Sequence, residues 1–319
     1  MRLRKEHIPN SFNLLKLAAK EFGNDHAMKL SASLSYYTIF SLVPMLVIIV
    51  SLCSIFFGKE AVQGELYWQI KEWTGSEVAA QIQSMIKNAQ RSNQSVLATT
   101  IGIITLIIGA TGIFTEIQGS INYIWSIKAK PKRGWLKFLT VRLLSFALTI
   151  SLGFLMLVSL VLNTVMDLLF NKLEKILPQA IYMVYIVNIV LVIAVIILLF
   201  AVIFKVLPDG KLTWRDAFVG AAFTAFLFML GKFIIGFYIS KMSIVSTYGS
   251  SSAVVLILVW VYFSSVILYF GAEFTKVYAA AYGHEIHPDV FAVRIEKKEV
   301  EHTEQILKKK PLLTTASTK

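Results

Sequence analysis

The sequence predicts an all-α fold, a polytopic integral membrane protein with six transmembrane helices, an N-terminal interfacial helix and an external amphipathic helical hairpin. Three observations carry that prediction. Six long apolar runs lie between Ser31 and Val277, and within them only Glu116, Lys232 and Glu273 are carboxylates or amines. Hydrophobic residues make up 56% of the 319-residue chain, with a mean hydropathy of +0.67. The segments joining the runs alternate between rich and poor in Lys and Arg. A hydrocarbon layer of about 30 Å needs about 20 helical residues at about 1.5 Å each, and all six runs reach that length. A soluble domain of this composition would leave apolar helix surface all round. A transmembrane barrel would show alternating strands in place of continuous runs.

Residues 1–29 are basic, and from Ser11 to Lys29 the chain sets Phe12, Leu15, Ala19 and Phe22 on one helical face and Lys16, Lys20 and Asn24 on another. That is the pattern of a helix lying in the membrane interface, with a short solvated linker as the alternative. The membrane domain follows over 30–282, with spans from Ser31 to Phe57, Val96 to Ile124, Leu143 to Met166, Ala180 to Phe204, Ala217 to Ser240 and Ser252 to Thr275. The external loop 58–95 has periodicity of its own: Leu66, Ile70 and Trp73 recur on one face, then Val78, Ile82, Met85 and Ala89 on another. Between them Thr74 and Glu77 have capping-box spacing, so two amphipathic helices are expected, either a lid or a cover packed on the bundle. Residues 283–319 are charged and lack sustained apolar periodicity, which predicts a disordered tail.

Basic residues orient the bundle. Residues 1–30, the second and fourth loops and the tail from Lys276 hold 23 of the 31, and the first, third and fifth loops hold seven. Lys and Arg collect on the cytoplasmic side, so both termini are expected there. The net charge of +12 is then mostly topology, with membrane lipids and their anionic headgroups as partners and no nucleic acid; assembly with further copies of the chain stays open. The first apolar run starts too late and runs too long for a cleaved leader, so it is expected to remain as a span.

The same residues exclude much chemistry. Cys53 is the lone cysteine, so no disulfide framework or Cys-based metal site is available. All five histidines, at 7, 26, 284, 287 and 302, fall outside the spans, which leaves a Ser in Tyr248-Gly-Ser-Ser-Ser252 without a His base. No Asp pair lies within a span for an aspartyl protease, and no phosphate-binding loop is present. His284, Glu285, His287 and Asp289 have metal-ligand types but no ligand spacing. No catalytic, cofactor or metal site is expected, and the chain is not read as an enzyme.

Ionisable groups at membrane depth usually mark function or a specific partner. Glu116 lies nine residues before Trp125, about 13 Å below the interface. Gly102, Thr105, Gly109, Gly112, Glu116, Gly119 and Tyr123 share its helical face, which is too small and polar to meet lipid. Ser33, Tyr37, Ser41 and Pro44 line one side of the first span, and Ser145, Thr149, Gly153 and Asn163 one side of the third. Pro44 favours a kink. Two readings fit these faces: close helix packing around one buried carboxyl, or the wall of a substrate or proton path. Lys232 is placed to snorkel and Glu273 to pair with Lys276 at i+3.

Four stretches carry a family resemblance: SASLSYYTIFSLVPML (31–46), GIFTEIQGSINYIW (112–125), FKVLPDGKLTWRDAFVGAAFTA (204–225) and YGSSSAVVLILVWVYFSSVILYFGAEFTKVYA (248–279). In order and spacing the chain resembles the YihY/BrkB family of bacterial inner-membrane proteins over about residues 10–282. The resemblance implies a six-helix membrane protein, with members linked to envelope properties and proposed to move lipids or lipid-linked material. The family's older ribonuclease label finds no support here, because a metal-dependent nuclease needs a clustered His/Asp set. The sequence reading is thus a transporter or flippase for an amphiphilic envelope substrate. A non-transporting envelope scaffold is the alternative, and a membrane hydrolase the weakest reading.

Overall fold

The computed structural model describes residues 11–41, 64, 67–68, 71, 76–91, 112–130, 180–241, 252–282, 284–290 and 292–297. Helix α1 spans Ser11–Asn24, α2 covers residues 27–41, α3 spans Ser76–Arg91 and α4 covers residues 112–124. Strand β1 (Ile127–Ala129) is followed by α5 (Ala180–Val206), β2 (Gly210–Lys211), α6 (Trp214–Lys241) and α7 (Ser252–Ala281). Strands β3 (His287–Pro288) and β4 (Ala292–Arg294) close the described chain.

Three helices have membrane-spanning length and apolarity, over Ile189–Val206, Trp214–Tyr238 and Val254–Ala281. They coincide with the fourth, fifth and sixth expected spans. The first and second are described only from 31 to 41 and from 112 to 124, both helical, and the third lies outside the described residues. Helix α7 packs on α6 and on α1, and α5 packs on α6. Their outer surfaces expose Ile186, Val190, Phe226, Phe233, Ile234 and Phe237, an apolar area that a soluble monomer would hide.

Between α6 and α7 the contact is set by glycine. A Cβ built at Gly220 would lie 1.9 Å from Thr275 Oγ1, and one at Gly271 would lie 1.9 Å from Thr224 Oγ1. Each threonine is four residues beyond a glycine on its own helix and gives its hydroxyl proton to that glycine's carbonyl, at 2.7 Å in both helices. Two antiparallel Gly-x-x-x-Thr turns therefore seat each other's side chains, the small-residue contact that lets membrane helices approach closely. Gly231, whose Cβ would lie 2.4 Å from Ile267 Cδ1, continues the contact toward the far end.

The helix entries follow local chemistry. Thr213 caps α6: its hydroxyl accepts from the Asp216 amide at 3.2 Å and donates to the Asp216 carboxylate at 2.6 Å, and that carboxylate also faces the positive end of the helix dipole. The break between α1 and α2 falls at Asp25 and His26, with His26 in the left-handed region at φ 50°. The interfacial helix expected over Ser11–Lys29 thus ends at Asn24. Its buried residues are Leu14 and Ala18, packed with Val277 of α7, while Phe12 and Leu15 stay exposed. In the external segment, α3 falls where the second helix of the expected hairpin lies, buries Ala79, Ile82 and Ile86, and touches α7.

One expectation is corrected. The charged tail is not structureless from residue 283, because β1 pairs antiparallel with β4 (Lys128 opposite Val293) and β2 with β3 (Gly210 opposite Pro288). Neither partner is adjacent in sequence, so no local periodicity could announce the pairing. A Cβ at Gly210 would lie 2.8 Å from Ile127, 3.0 Å from Ile286 and 3.1 Å from Trp125, so glycine is what lets the two short sheets close on one another. Residues 298–319 lie outside the described residues.

Candidate functional site

Helices α2 and α4 meet at Gly112, while Gly119, on the same predicted face of α4, has nothing within 4 Å of an added Cβ. The Gly112 Cα side is 3.5 Å from Ser41 Oγ and 3.7 Å from the Tyr37 ring, measured to an ideal Cβ. Ser41 is buried, Ser33, Gly112 and Glu116 are half-buried, and Tyr37 and Tyr123 are exposed. Glu116 stands one turn from Gly112 on the same face of α4. Gly109, Pro44, Ser145 and Asn163 lie outside the described residues. The hydroxyls of Ser31, Ser35 and Thr38 donate to carbonyls of their own helix, those of Ala27, Ala32 and Leu34. These three are thus satisfied without a partner helix.

A second polar network fastens α4 to the loop before α6. Asn122 donates to the Asp209 carboxylate at 2.9 Å and accepts from the Asp209 amide at 2.8 Å, and Gln118 donates to the same carboxylate at 3.3 Å. Asp209 also offers its carbonyl to the Asp289 amide at 2.8 Å. One residue therefore joins α4, the loop and the tail. Trp125 donates its indole proton to the Ala272 carbonyl of α7 at 3.1 Å, and His284 Nδ1 lies 3.4 Å from Asp216.

The densest charge cluster among the described residues sits where α1, α7 and the tail converge. Lys276 reaches Glu273 at 3.0 Å, Asp25 at 3.2 Å and Glu21 at 3.5 Å. Lys297, from beyond β4, reaches Asp25 at 2.6 Å and lies 3.9 Å above the Tyr123 ring. Burial pushes the Asp25 carboxyl up, but the Lys297 hydrogen bond, a hydrogen bond with Glu273 and the charges of Lys276 and Lys297 outweigh it and hold Asp25 below the usual carboxylate range. Sequence reading reached the Glu273–Lys276 pair through its i+3 spacing. It missed Asp25 and Lys297, which are 272 residues apart; the available signal was an Asp in a helix break and a Lys in an apparently solvated tail. Among the described residues no three His, Cys, Asp or Glu gather as a metal site.

The family model described as virulence factor BrkB matches residues 18–290. A UPF0761 membrane protein of Pseudomonas paraeruginosa is 28% identical over 275 residues, covering 84% of this chain and 63% of that protein. The chain thus spans less than two thirds of that relative's length. UPF0761 membrane proteins of Tolumonas auensis (27% over 265 residues, 79% of this chain and 80% of the relative) and Vibrio campbellii (26% over 291 residues, 88% and 85%) are similar over most of both chains. None of these names carries an enzymatic activity. No solved structure matches the chain. With the match running from within α1 through all three described spans to β3, the chain belongs to the BrkB family of membrane proteins.

Proposed function

We propose that this protein moves an amphiphilic, lipid-like molecule across the bacterial inner membrane, with both termini in the cytoplasm and the α2–α4 face as part of the path. The observation that carries the reading is Glu116: a half-buried carboxyl one turn from Gly112, on the side of α4 where Ser41 and Tyr37 approach. A carboxyl at membrane depth is costly unless protonated, paired or hydrated. Along a path it contacts a polar headgroup or carries a proton. Exposed aromatic surface at Tyr36, Tyr37 and Phe40 of α2 suits an acyl chain. A scaffold without transport is the second reading, favoured by the own-helix hydrogen bonds of Ser31, Ser35 and Thr38.

Complementation of an envelope phenotype in a deletion strain, normalised to membrane abundance, separates the two. Glu116→Gln keeps size and hydrogen bonding while removing ionisation. On the transport reading it leaves an abundant protein that fails to complement, and Glu116→Asp retains part of the activity. Cysteines at Gly112, Ser41 and Ser145, in a Cys53→Ala background, then react with small water-soluble thiol reagents. Full complementation by Glu116→Gln, with all three cysteines as inert as one at lipid-facing Leu198, establishes the scaffold.

A further inference from the structure

Three parts of the chain that are far apart in sequence meet at one ammonium group. Lys297 Nζ lies 2.6 Å from Asp25 Oδ1, in the break between α1 and α2, and 3.9 Å from the centroid of the Tyr123 ring on α4. The face of an aromatic ring attracts any cation, whereas the carboxylate adds a charge-assisted hydrogen bond that only an N–H can supply. Together they make a receptor for a primary ammonium.

The receptor is built by the helices and filled by the tail. Asp25 is buried, and its two oxygens are divided between two lysines, Oδ2 on Lys276 of α7 at 3.2 Å and Oδ1 on Lys297. Lys276 belongs to the bundle, where Glu273 and Glu21 hold it as well. Lys297 is held more locally. The Ile295 amide ties the tail backbone to the Ser126 carbonyl at 2.8 Å, and Lys297 stands two residues beyond that bond. Its side chain can therefore leave by its own rotations without unpairing β4. Departure leaves Oδ1 of a buried carboxylate short of a donor, a cost that a second ammonium in the same place removes.

The position of the receptor names its ligand. Tyr123 lies two residues before Trp125, at the end of the expected second span and so at the depth of lipid headgroups. Its ring is exposed, and one turn away at Gly119 an added Cβ meets nothing within 4 Å among the described residues, so this face of α4 has room for a lipid. We infer that Tyr123 and Asp25 form a binding site for the primary-ammonium headgroup of a zwitterionic lipid, and that Lys297 occupies the site in the lipid's absence. The lysine ammonium and an aminoethyl headgroup are the same chemical group and compete for it. A trimethylammonium headgroup satisfies the ring but not the carboxylate, and an anionic headgroup satisfies neither. Tyr123 shares its helical face with Glu116, yet the site does not depend on the transport reading, because a scaffold holds the same lipid equally well.

Native mass spectrometry of the full chain reads binding rather than transport, with phosphatidylethanolamine, phosphatidylcholine and phosphatidylglycerol of the same acyl chains as probes. Lys297→Met removes the resident ammonium and keeps the length of the side chain. It is expected to raise the affinity for phosphatidylethanolamine about tenfold over the wild type, the size of one charge-assisted hydrogen bond, and to leave the other two lipids unchanged. Adding Tyr123→Leu or Asp25→Asn returns the affinity to the wild-type level. Equal affinity of the wild type and Lys297→Met for phosphatidylethanolamine, a gain shared by either control lipid, or a gain that survives either second substitution overturns the site. The wild type decides even if a variant folds poorly. In nanodiscs its Lys297, labelled with a soluble amine-reactive reagent and normalised to the exposed Lys211, is expected to react severalfold faster when phosphatidylethanolamine replaces phosphatidylcholine, and an unchanged rate overturns the proposal.

Discussion

At the scale of single residues, Gly220, Thr224, Gly271 and Thr275 form the tightest seat in the described bundle. A methyl at Gly220 has nowhere to go, since Thr275 Cβ and Cγ2 stand 2.9 and 3.0 Å from it behind the hydroxyl at 1.9 Å. Gly220→Ala is expected to cost about 1–3 kcal/mol, the usual range for overpacking, seen as a lower unfolding temperature in mild detergent. Adding Thr275→Gly returns most of the loss by moving the bulk to the other helix, a coupling that a double-mutant cycle measures. Gly112→Ala serves as the contrast, because its nearest neighbours at 3.5 and 3.7 Å are ordinary contacts, and it should unfold with the wild type.

At the scale of elements, the tail is the surprise, and its attachment is testable. Deleting residues 292–297 removes β4, the Ser126 carbonyl's bond from the Ile295 amide at 2.8 Å and the Lys297 contact with Asp25. Amide exchange at 125–130 is expected to rise at least tenfold, while the spans stay protected because none of their backbone bonds is touched. Acid loosens the same attachment in the full chain. Asp25 is held below its ordinary range, so its contribution is present above the unfolded-state value and is lost as pH falls through the folded one. Exchange at 292–297 should therefore rise in acid, and less so in Asp25→Asn, which has already lost the pairing. The long apolar elements were legible because length and hydropathy act locally: α5, α6 and α7 fall on the expected spans. Along α4, spacing placed Gly112 opposite the first span's polar side. What stayed hidden depends on sequence separation, as in Asn122 with Asp209, Lys128 with Val293, and Asp25 with Lys297. A charged tail reads as solvated until its partners, brought in by folding elsewhere, are known.

For the whole molecule, the asymmetry of 23 against seven basic residues predicts that reporter fusions near Lys130 and Thr303 lie in the cytoplasm and one near Gln94 outside. An external location for residues 128–142 defeats the six-span arrangement. The loop after α5, the start of α6, the end of α7, β1 and the tail strands share one end of the described bundle. The Gly-x-x-x-Thr seats then bear on where anything can move. With backbones this close at Gly220, Gly271 and Gly231, a slide of α6 past α7 drives a side chain into a glycine notch at each of the three positions, so the two helices are expected to move as one body. The α2–α4 contact carries no such lock, because Gly112 meets Ser41 and Tyr37 at ordinary van der Waals distance.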